Sequence, residues 1–565
     1  TRDLRKDGVL YYGQPQELSY IDEDRERYTN LLMEHTLNFN KTLGIHNING
    51  VVGFTQQQYG RQQTDARKTG LQIYNGQYLT QINSAIGTSS TSGQVADIHK
   101  IQSYLGRVNY SYNDKYLLTA SGRIDQDSYF GPNYRTGFFP SVAVAWRINK
   151  EKFFKADWVN DLKINASYGI LGINTISAFQ NIGLINNGPR AVFGTNQTTY
   201  AGAYQATLSN PDLRWEKREV KNLGVDGSFF NDRLSISASV YDALSKDVLL
   251  GVPLTQTLGN LEYNPPVNAG SISNKGIEFQ ATYRNNSHLF KWSVSGNFTT
   301  IKNRVVSVGN QGGVNYIQVG STRSQVGYSL GQWYVLKDLG LFQTQAEINN
   351  YKRNDGTLIE PYAKPGDIKY YANPNGTGAV NNNDRVFNGS PWPTLQTGLQ
   401  FNGSYKQFSV SLQLVGVFGQ TIYNDVRRVL DSYQNSNFRA DINPWTATNT
   451  NTSDPRLGIA SNDAGISSNN IAESSRWLEN GSYARIRNLE FGYQLPKTTL
   501  KNLGVDNARV FISGQNLLTI TKYTGLDPDI TGNTNDGYNG ILSRGVDAGN
   551  YPPSRVFSLG INCTF

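Results

Sequence analysis

No stretch of this chain is apolar for long enough to cross a membrane as a helix. Such a span takes about 18 or more apolar residues in succession. The longest candidate runs, such as residues 410–418, are interrupted by Ser411, Gln413 and Gly416. Cysteine is nearly absent: Cys563 stands alone, so no intrachain disulfide is possible and cysteine usage does not reveal the redox compartment. Histidine is scarce too. His35, His46, His99 and His288 are the whole complement, and none sits in a Ser/Asp arrangement that reads as catalytic. Basic residues outnumber acidic ones, for a net charge of +8, but no block of Lys and Arg of the kind that grips nucleic acid occurs anywhere.

What the chain does have is aromatic residues and glycine. Its 565 residues include 34 Tyr, 24 Phe, 8 Trp and 56 Gly, spread evenly from end to end. Yet its mean hydropathy is only −0.49. Many aromatics with few apolar runs fit a transmembrane β-barrel, in which only alternate residues of each strand need be apolar and the loops are polar.

The alternation is explicit in the segment 557–565. Phe557, Leu559, Ile561, Cys563 and Phe565 fall on one face; Ser558, Gly560, Asn562 and Thr564 fall on the other. Phe557, Leu559, Ile561 and Phe565 also resemble the signal read by barrel-insertion machinery. Cys563, on the apolar face, reads as a small hydrophobe. The same pattern recurs upstream. Apolar sets include Leu31, Met33, Leu37 and Phe39; Ile48, Val52 and Phe54; Tyr116, Leu118 and Ala120; and Val142, Val144, Trp146 and Ile148. Further sets are Leu223, Val225 and Phe229; Leu234, Ile236, Ala238 and Val240; and Phe408, Val410, Leu412 and Leu414. Ser, Thr, Asn and Gln lie between them, and Arg107, Arg123 and Arg147 share that polar face, as they must if the other face meets lipid. The pattern predicts about sixteen strands in an all-β, antiparallel transmembrane barrel. Turns such as Asn113-Asp114 and Asn231-Asp232 would lie on the periplasmic side. The long connections 172–213, 307–329, 344–392 and 423–480 would lie outside the cell. Pro140 suits a strand start, where its missing N–H is harmless. A general porin also has about sixteen strands, so the count by itself does not separate a porin from part of a larger barrel.

A set of short motifs resembles the SusC/RagA family of TonB-dependent transporters from Bacteroidota outer membranes. In order they are Ser103-Tyr104-Leu105-Gly106-Arg107-Val108-Asn109-Tyr110, Phe139-Pro140-Ser141-Val142, Asn210-Pro211-Asp212-Leu213-Arg214-Trp215 and Asn274-Lys275-Gly276-Ile277-Glu278-Phe279. Ser475-Arg476-Trp477, Gly514-Gln515-Asn516, Gly525-Leu526-Asp527-Pro528-Asp529 and Tyr551-Pro552-Pro553-Ser554-Arg555 follow. The resemblance runs over nearly the whole chain, residues 1–565. It implies a 22-stranded barrel, of which this chain would form the C-terminal portion. An N-terminal plug and a TonB box, not recognisable here, would connect to the TonB complex. Strands and plug are then expected beyond Thr1, because a sheet edge cannot be left open in hydrocarbon.

The resemblance further implies an outer-membrane location. It also implies a SusD-like surface lipoprotein as partner, and TonB-dependent import of a polymeric nutrient, either oligosaccharide or oligopeptide. Two alternatives remain open: a component of a larger outer-membrane assembly or secretion machine, and a passive porin. No enzymatic activity is expected, since the histidines form no catalytic set and a Cys563 thiol would face lipid. No cofactor is expected either. The family often carries an Asp-x-Asn-x-Asp-Gly calcium-type loop after Pro-Gly-Asp-Ile-Lys. Here Pro365-Gly366-Asp367-Ile368-Lys369 is followed by Asn373, Asn375 and, further on, Asp384, with Asn373 and Thr377 where carboxylates would stand. With so few charged ligands, the expectation is a plain Gly/Asn-rich loop without metal. For substrate contact, the residues to test first are Trp333, Tyr370 and Tyr371, which lie in or beside long extracellular connections.

Overall fold

The computed structural model describes residues 2–5, 19–176, 178, 180–251, 266–309, 315–432, 438–458, 469–500, 504–530 and 540–564. Sixteen strands follow one another around a single antiparallel sheet. They are β1 (Arg2–Arg5), β2 (Tyr20–Leu43), β3 (His46–Thr69), β4 (Ser89–Tyr112), β5 (Tyr116–Asp127), β6 (Thr136–Arg147), β7 (Val159–Ile173) and β8 (Glu216–Phe229). Then come β9 (Leu234–Gly251), β10 (Pro266–Asn285), β11 (Phe290–Thr300), β12 (Leu395–Tyr405), β13 (Phe408–Phe418), β14 (Tyr483–Gln494), β15 (Asn507–Thr521) and β16 (Val556–Thr564). Each pairs with its neighbours in chain order. After a break at Ile301, β11 resumes as Lys302–Ser307, still paired to β10. This meander is the topology that short turns can build, because antiparallel neighbours need only a few linking residues. At one end the turns are tight and take left-handed backbone at Asn113, Asp114, Asn231 and Asp232, residue types that tolerate it. All the long connections gather at the other end.

Opposite residues of an antiparallel pair share a face, so the alternation of one strand carries across the sheet. Tyr116 sits opposite Trp146, Trp146 opposite Ile164, Ile164 opposite Val225, Val225 opposite Ala238 and Ala238 opposite Phe279. This continuous outward row is apolar, and most of its members are exposed on the protein surface. On β8 the outward apolar positions run from Leu223 to Phe229, about 20 Å along the strand at roughly 3.4 Å per residue. Towards the long-connection end, the outward positions then change character within one step. Lys221, Asp242, Lys275 and Lys302 lie in one row, and Lys275 pairs with Asp242 at 2.8 Å. At the opposite border, Tyr116 and Trp146 both donate to the Glu151 carboxylate, at 2.7 and 3.2 Å. Rings with one end in oil and one in water are the expected border residues.

Strands β2, β3 and β4 are each 24 residues long, about 80 Å. Only their lower halves carry the continuous apolar face; the upper halves are largely polar, tied by contacts such as Gln57 to Asn30 at 3.0 Å. Gly276 marks a close approach inside the sheet: a Cβ there would lie 1.9 Å from the Thr300 carbonyl oxygen.

Two expectations need correction. Pro140 is the fifth residue of β6, not its start. It is tolerated because pairing to β7 begins only at Ser141, so one edge of the strand is still free there. The connection 308–394 is not structureless. It holds a helix at Gln345–Asn350 and several short strands, and with 419–482 it builds apolar cores around Trp333, Trp477, Tyr370 and Phe342, all fully buried. Phe557, Leu559 and Ile561 lie exposed on the outward face of β16, as does Cys563; Phe565 lies outside the described residues.

The two faces make opposite predictions for one charge. Val225→Arg puts a guanidinium against hydrocarbon and is expected to cost about 2–4 kcal/mol. Ser239→Arg, on the inner face beside Glu278, should stay within about 0.5 kcal/mol. Urea titration of the protein in lipid vesicles measures both; equal costs would contradict the assignment of faces.

Candidate functional site

The inner face of β8, β9, β10 and β11 carries the even-numbered positions of β8 and the odd-numbered positions of β9. Near the long-connection end it encloses a cavity of about 890 Å³, within the range of small-ligand sites. Its wall presents the polar residues Arg218, Asn222, Tyr241, Asn274 and Asn303 together with apolar ones such as Val220, Leu249 and Ile272, and its roof presents Leu330 and Trp392 from the connection 308–394. The polar groups are held in place. Asn303 donates to Asn274 Oδ1 at 2.8 Å and accepts from the Leu330 N–H at 2.7 Å. Tyr241 donates to the Thr300 carbonyl at 3.0 Å, and the Trp392 indole to the Leu330 carbonyl at 2.7 Å. Arg544 lies 5.0 Å from the centre of the Trp392 ring. Asn222 Oδ1 is buried and has no hydrogen-bond partner among the described residues. Further down the wall, Asp226 accepts from Ser237 at 2.7 Å and Asn165 at 2.8 Å. The arrangement offers hydrogen bonds of both senses and an aromatic roof.

The sequence-predicted substrate residues are elsewhere. Trp333 is fully buried beside Val335, Tyr423 and Trp477, its indole donating to the Thr421 carbonyl at 3.0 Å. Tyr370 is fully buried too and donates to the Asn469 carbonyl at 2.7 Å. Tyr371, next to it, is half-buried and held by its N–H on Lys337. Trp333 and Tyr370 build the core of the loop layer, so neither presents a ring to a ligand. The residues that do line the cavity carried a usable signal, namely inward parity on strands whose outward positions are apolar.

The loop of Asn373, Asn375 and Asp384 does come together, but around a side chain of the protein. Asp384 accepts from Arg353 at 2.8 Å and from the N–H groups of Asn373 and Asn381 at 2.9 and 3.0 Å. Burial alone would push this carboxyl up, and those hydrogen bonds instead hold it below the usual carboxylate range. Among the described residues no group of three or more His, Cys, Asp or Glu is placed to hold a metal ion.

Glu360, nearby, behaves in the opposite way. It is buried, its Oε1 accepts from the Tyr370 N–H at 2.7 Å, and its Oε2 has no partner among the described residues. Burial, reinforced by Asp367 and Asp338, pushes it up to about 8. With the folded value above the ordinary 4.5, the stability it lends is complete below that value and is lost as pH rises through about 8. Glu360→Gln should therefore flatten the pH dependence of loop-layer stability between pH 5 and 8, and stabilise the layer at pH 8. Thermal melts of the two proteins across that range test it; parallel curves would contradict the burial of an uncharged carboxyl.

Comparison with known proteins places this geometry. Residues 2–362 match the family described as TonB dependent receptor-like, beta-barrel. TonB-dependent receptor P3 of Formosa agariphila is 30% identical over 546 residues, covering 95% of this chain and 52% of that protein. TonB-dependent receptor SusC of Bacteroides thetaiotaomicron is 27% identical, covering 93% of this chain and 49% of that protein. The chain thus spans about half the length of the curated relatives it matches. Among solved structures, the RagAB peptide transporter superposes with a TM-score of 0.80 at 22% identity, covering 98% of this chain and 57% of that one.

Proposed function

Because this chain belongs to the TonB-dependent receptor-like β-barrel family, a family of outer-membrane transporters, we propose that it walls the channel of a SusC-type importer. The cargo is a polymeric nutrient, an oligopeptide or oligosaccharide, and energy comes from TonB through a plug-bearing segment outside the described residues. A SusD-like surface lipoprotein sits over the loop layer as partner. The observation that carries this reading is the cavity of about 890 Å³ on the inner wall. Its wall mixes polar groups such as Arg218, Asn222 and Asn274 with apolar side chains such as Val220, Leu249 and Ile272. With the Asn222 acceptor, unpaired among the described residues, and the Trp392 roof, it suits a flexible chain that brings donors, acceptors and flat faces together with some apolar surface. The outer edge of β16 supports the larger barrel. Among the described residues it pairs only with β15, and in hydrocarbon an open edge leaves N–H and C=O groups unsatisfied at several kcal/mol each. Further strands close it in this reading.

The test is uptake of fluorescein-labelled oligopeptides and of labelled maltoheptaose by cells carrying the full-length protein. Arg218→Ala with Asn222→Ala should lower uptake of one probe class about tenfold, as losing one or two charge-assisted contacts predicts, at unchanged outer-membrane abundance. Deleting TonB should abolish uptake. Uptake that persists without TonB would make a passive porin the better reading. Outward Phe557 and Leu559 on β16 serve in addition as the barrel-insertion signal. Phe557→Ser with Leu559→Ser should reduce outer-membrane abundance severely, and normal abundance would remove that role.

A further inference from the structure

We propose that Arg353 takes the place of the divalent cation in a calcium-type loop formed by residues 373–384, so that this part of the loop layer keeps its shape without metal. A calcium loop of twelve residues supplies side-chain ligands from positions 1, 3, 5 and 9, a backbone carbonyl from position 7 and a carboxylate from position 12, with glycine at position 6 for the sharp turn. Counted from Asn373, those positions are Asn373, Asn375, Thr377 and Asn381, the Ala379 carbonyl, Asp384 and Gly378. Gly378 has φ +69°, the left-handed backbone that favours glycine. The spacing and the turn of an ion loop are therefore present, whereas its charge is not: one carboxylate remains.

The centre of the loop is filled by the Arg353 guanidinium. Nε donates to the Gly378 carbonyl at 2.7 Å. Nη1 donates to the Asn373 carbonyl and to Asp384 Oδ1, the latter at 3.2 Å. Nη2 donates to Asp384 Oδ2 at 2.8 Å and to the Ala379 carbonyl at 3.4 Å. A guanidinium has five N–H donors, and all five are used, on the carbonyls of positions 1, 6 and 7 and on both oxygens of position 12. The side chains of Arg353 and Asp384 are 1% and 3% exposed, so the pair is sealed from water, and its charges cancel. A calcium ion with Asp384 alone would leave an excess positive charge in the same buried place, which is unfavourable.

The remaining ligand positions have been turned to other work. Asn373 Oδ1 accepts from the Asn375 N–H at 3.1 Å, Asn375 Oδ1 from Asn354 at 2.8 Å and Asn381 Oδ1 from the Asn383 N–H at 2.9 Å. The backbone has closed down as well: a Cβ on Gly376 would lie 2.4 Å from Arg353 Nη1. The residues thus do not fit a calcium ion; they fit the end of an arginine. Arg353 is held in turn by its backbone N–H on the Thr357 carbonyl at 2.9 Å, and Val380 by its own on Ile359 at 2.8 Å. The internal cation therefore fastens residues 351–359 to residues 373–384.

Hydrogen exchange read by mass spectrometry over residues 370–386 of the full-length protein tests this locally, whatever calcium does elsewhere on the molecule. The wild type should show the same protection in EDTA and in millimolar CaCl₂. Arg353→Ala should exchange at least about tenfold faster in EDTA, as loss of charge-assisted hydrogen bonds predicts. The same variant with Asn373→Asp, Asn375→Asp and Thr377→Asp should regain protection on adding CaCl₂ and lose it again in EDTA. Calcium-dependent protection in the wild type, or unchanged protection in Arg353→Ala, would overturn the proposal. Failure of the carboxylate-bearing variant to respond to CaCl₂ would also overturn it, because the loop would then lack ion-site geometry.

Discussion

Every strand of the wall has to satisfy two solvents at once, and the rest of the structure depends on that constraint. A strand offers its side chains alternately to opposite faces, and antiparallel pairing keeps each face in register with the next strand. One apolar row therefore propagates from Tyr116 and Trp146 through Val225 and Ala238 to Phe279. The polar side of the same strands has no choice but to face inward, where it lines the cavity. Arg218, Asn222 and Tyr241 line the cavity because Lys221, Leu223 and Val240 do not. The abrupt change from Leu223 to Lys221, and from Val240 to Asp242, fixes the height of the wall in the bilayer and puts the cavity at its outer end.

Above the wall the governing physics changes. The loop layer meets water, so it needs a core of its own, and it finds one in Trp333, Trp477, Tyr370 and Phe342. Its buried charges are matched locally. Arg353 with Asp384 is one case, and Asp454 with Arg439 at 3.3 Å and Arg476 at 2.9 Å is another. A removed partner would strand a charge out of water, which is why such pairs hold loop segments in one arrangement even where their net contribution to stability is modest.

The wall was legible in the sequence because its signal is local. Period-two alternation at Leu234, Ile236, Ala238 and Val240 marks a strand wherever that strand sits, and the apolar sets of this kind fall on β2, β3, β5, β6, β8, β9, β13 and β16. The upper halves of β2, β3 and β4 were not legible, since above the membrane both faces meet water and the alternation vanishes. Pro140 misled for a related reason: whether its missing N–H matters depends on where a neighbouring strand begins pairing, which is not a local property. The loop layer hid its logic entirely. Trp333 and Tyr370 read as aromatics in or beside long connections, to be tested first for substrate contact, and the fold puts both in the core of the loop layer. The shortage of charged ligands in residues 373–384 is visible in the sequence, but the side chain that fills the loop lies twenty residues before Asn373 in the chain.

The most direct test of the two-solvent wall is a spin-label scan from position 219 to 228 on β8, one cysteine at a time, with Cys563 replaced by serine so that a single site reacts. In lipid vesicles, collision with dissolved oxygen should peak at 223, 225 and 227, and collision with a water-soluble nickel complex at 222, 224, 226 and 228. At 219 and 221 the outward positions should become accessible to nickel. Accessibility without a period of two, or outward positions equally open to nickel above and below 221, would contradict the account of this chain as a membrane-spanning wall with its binding surface inside.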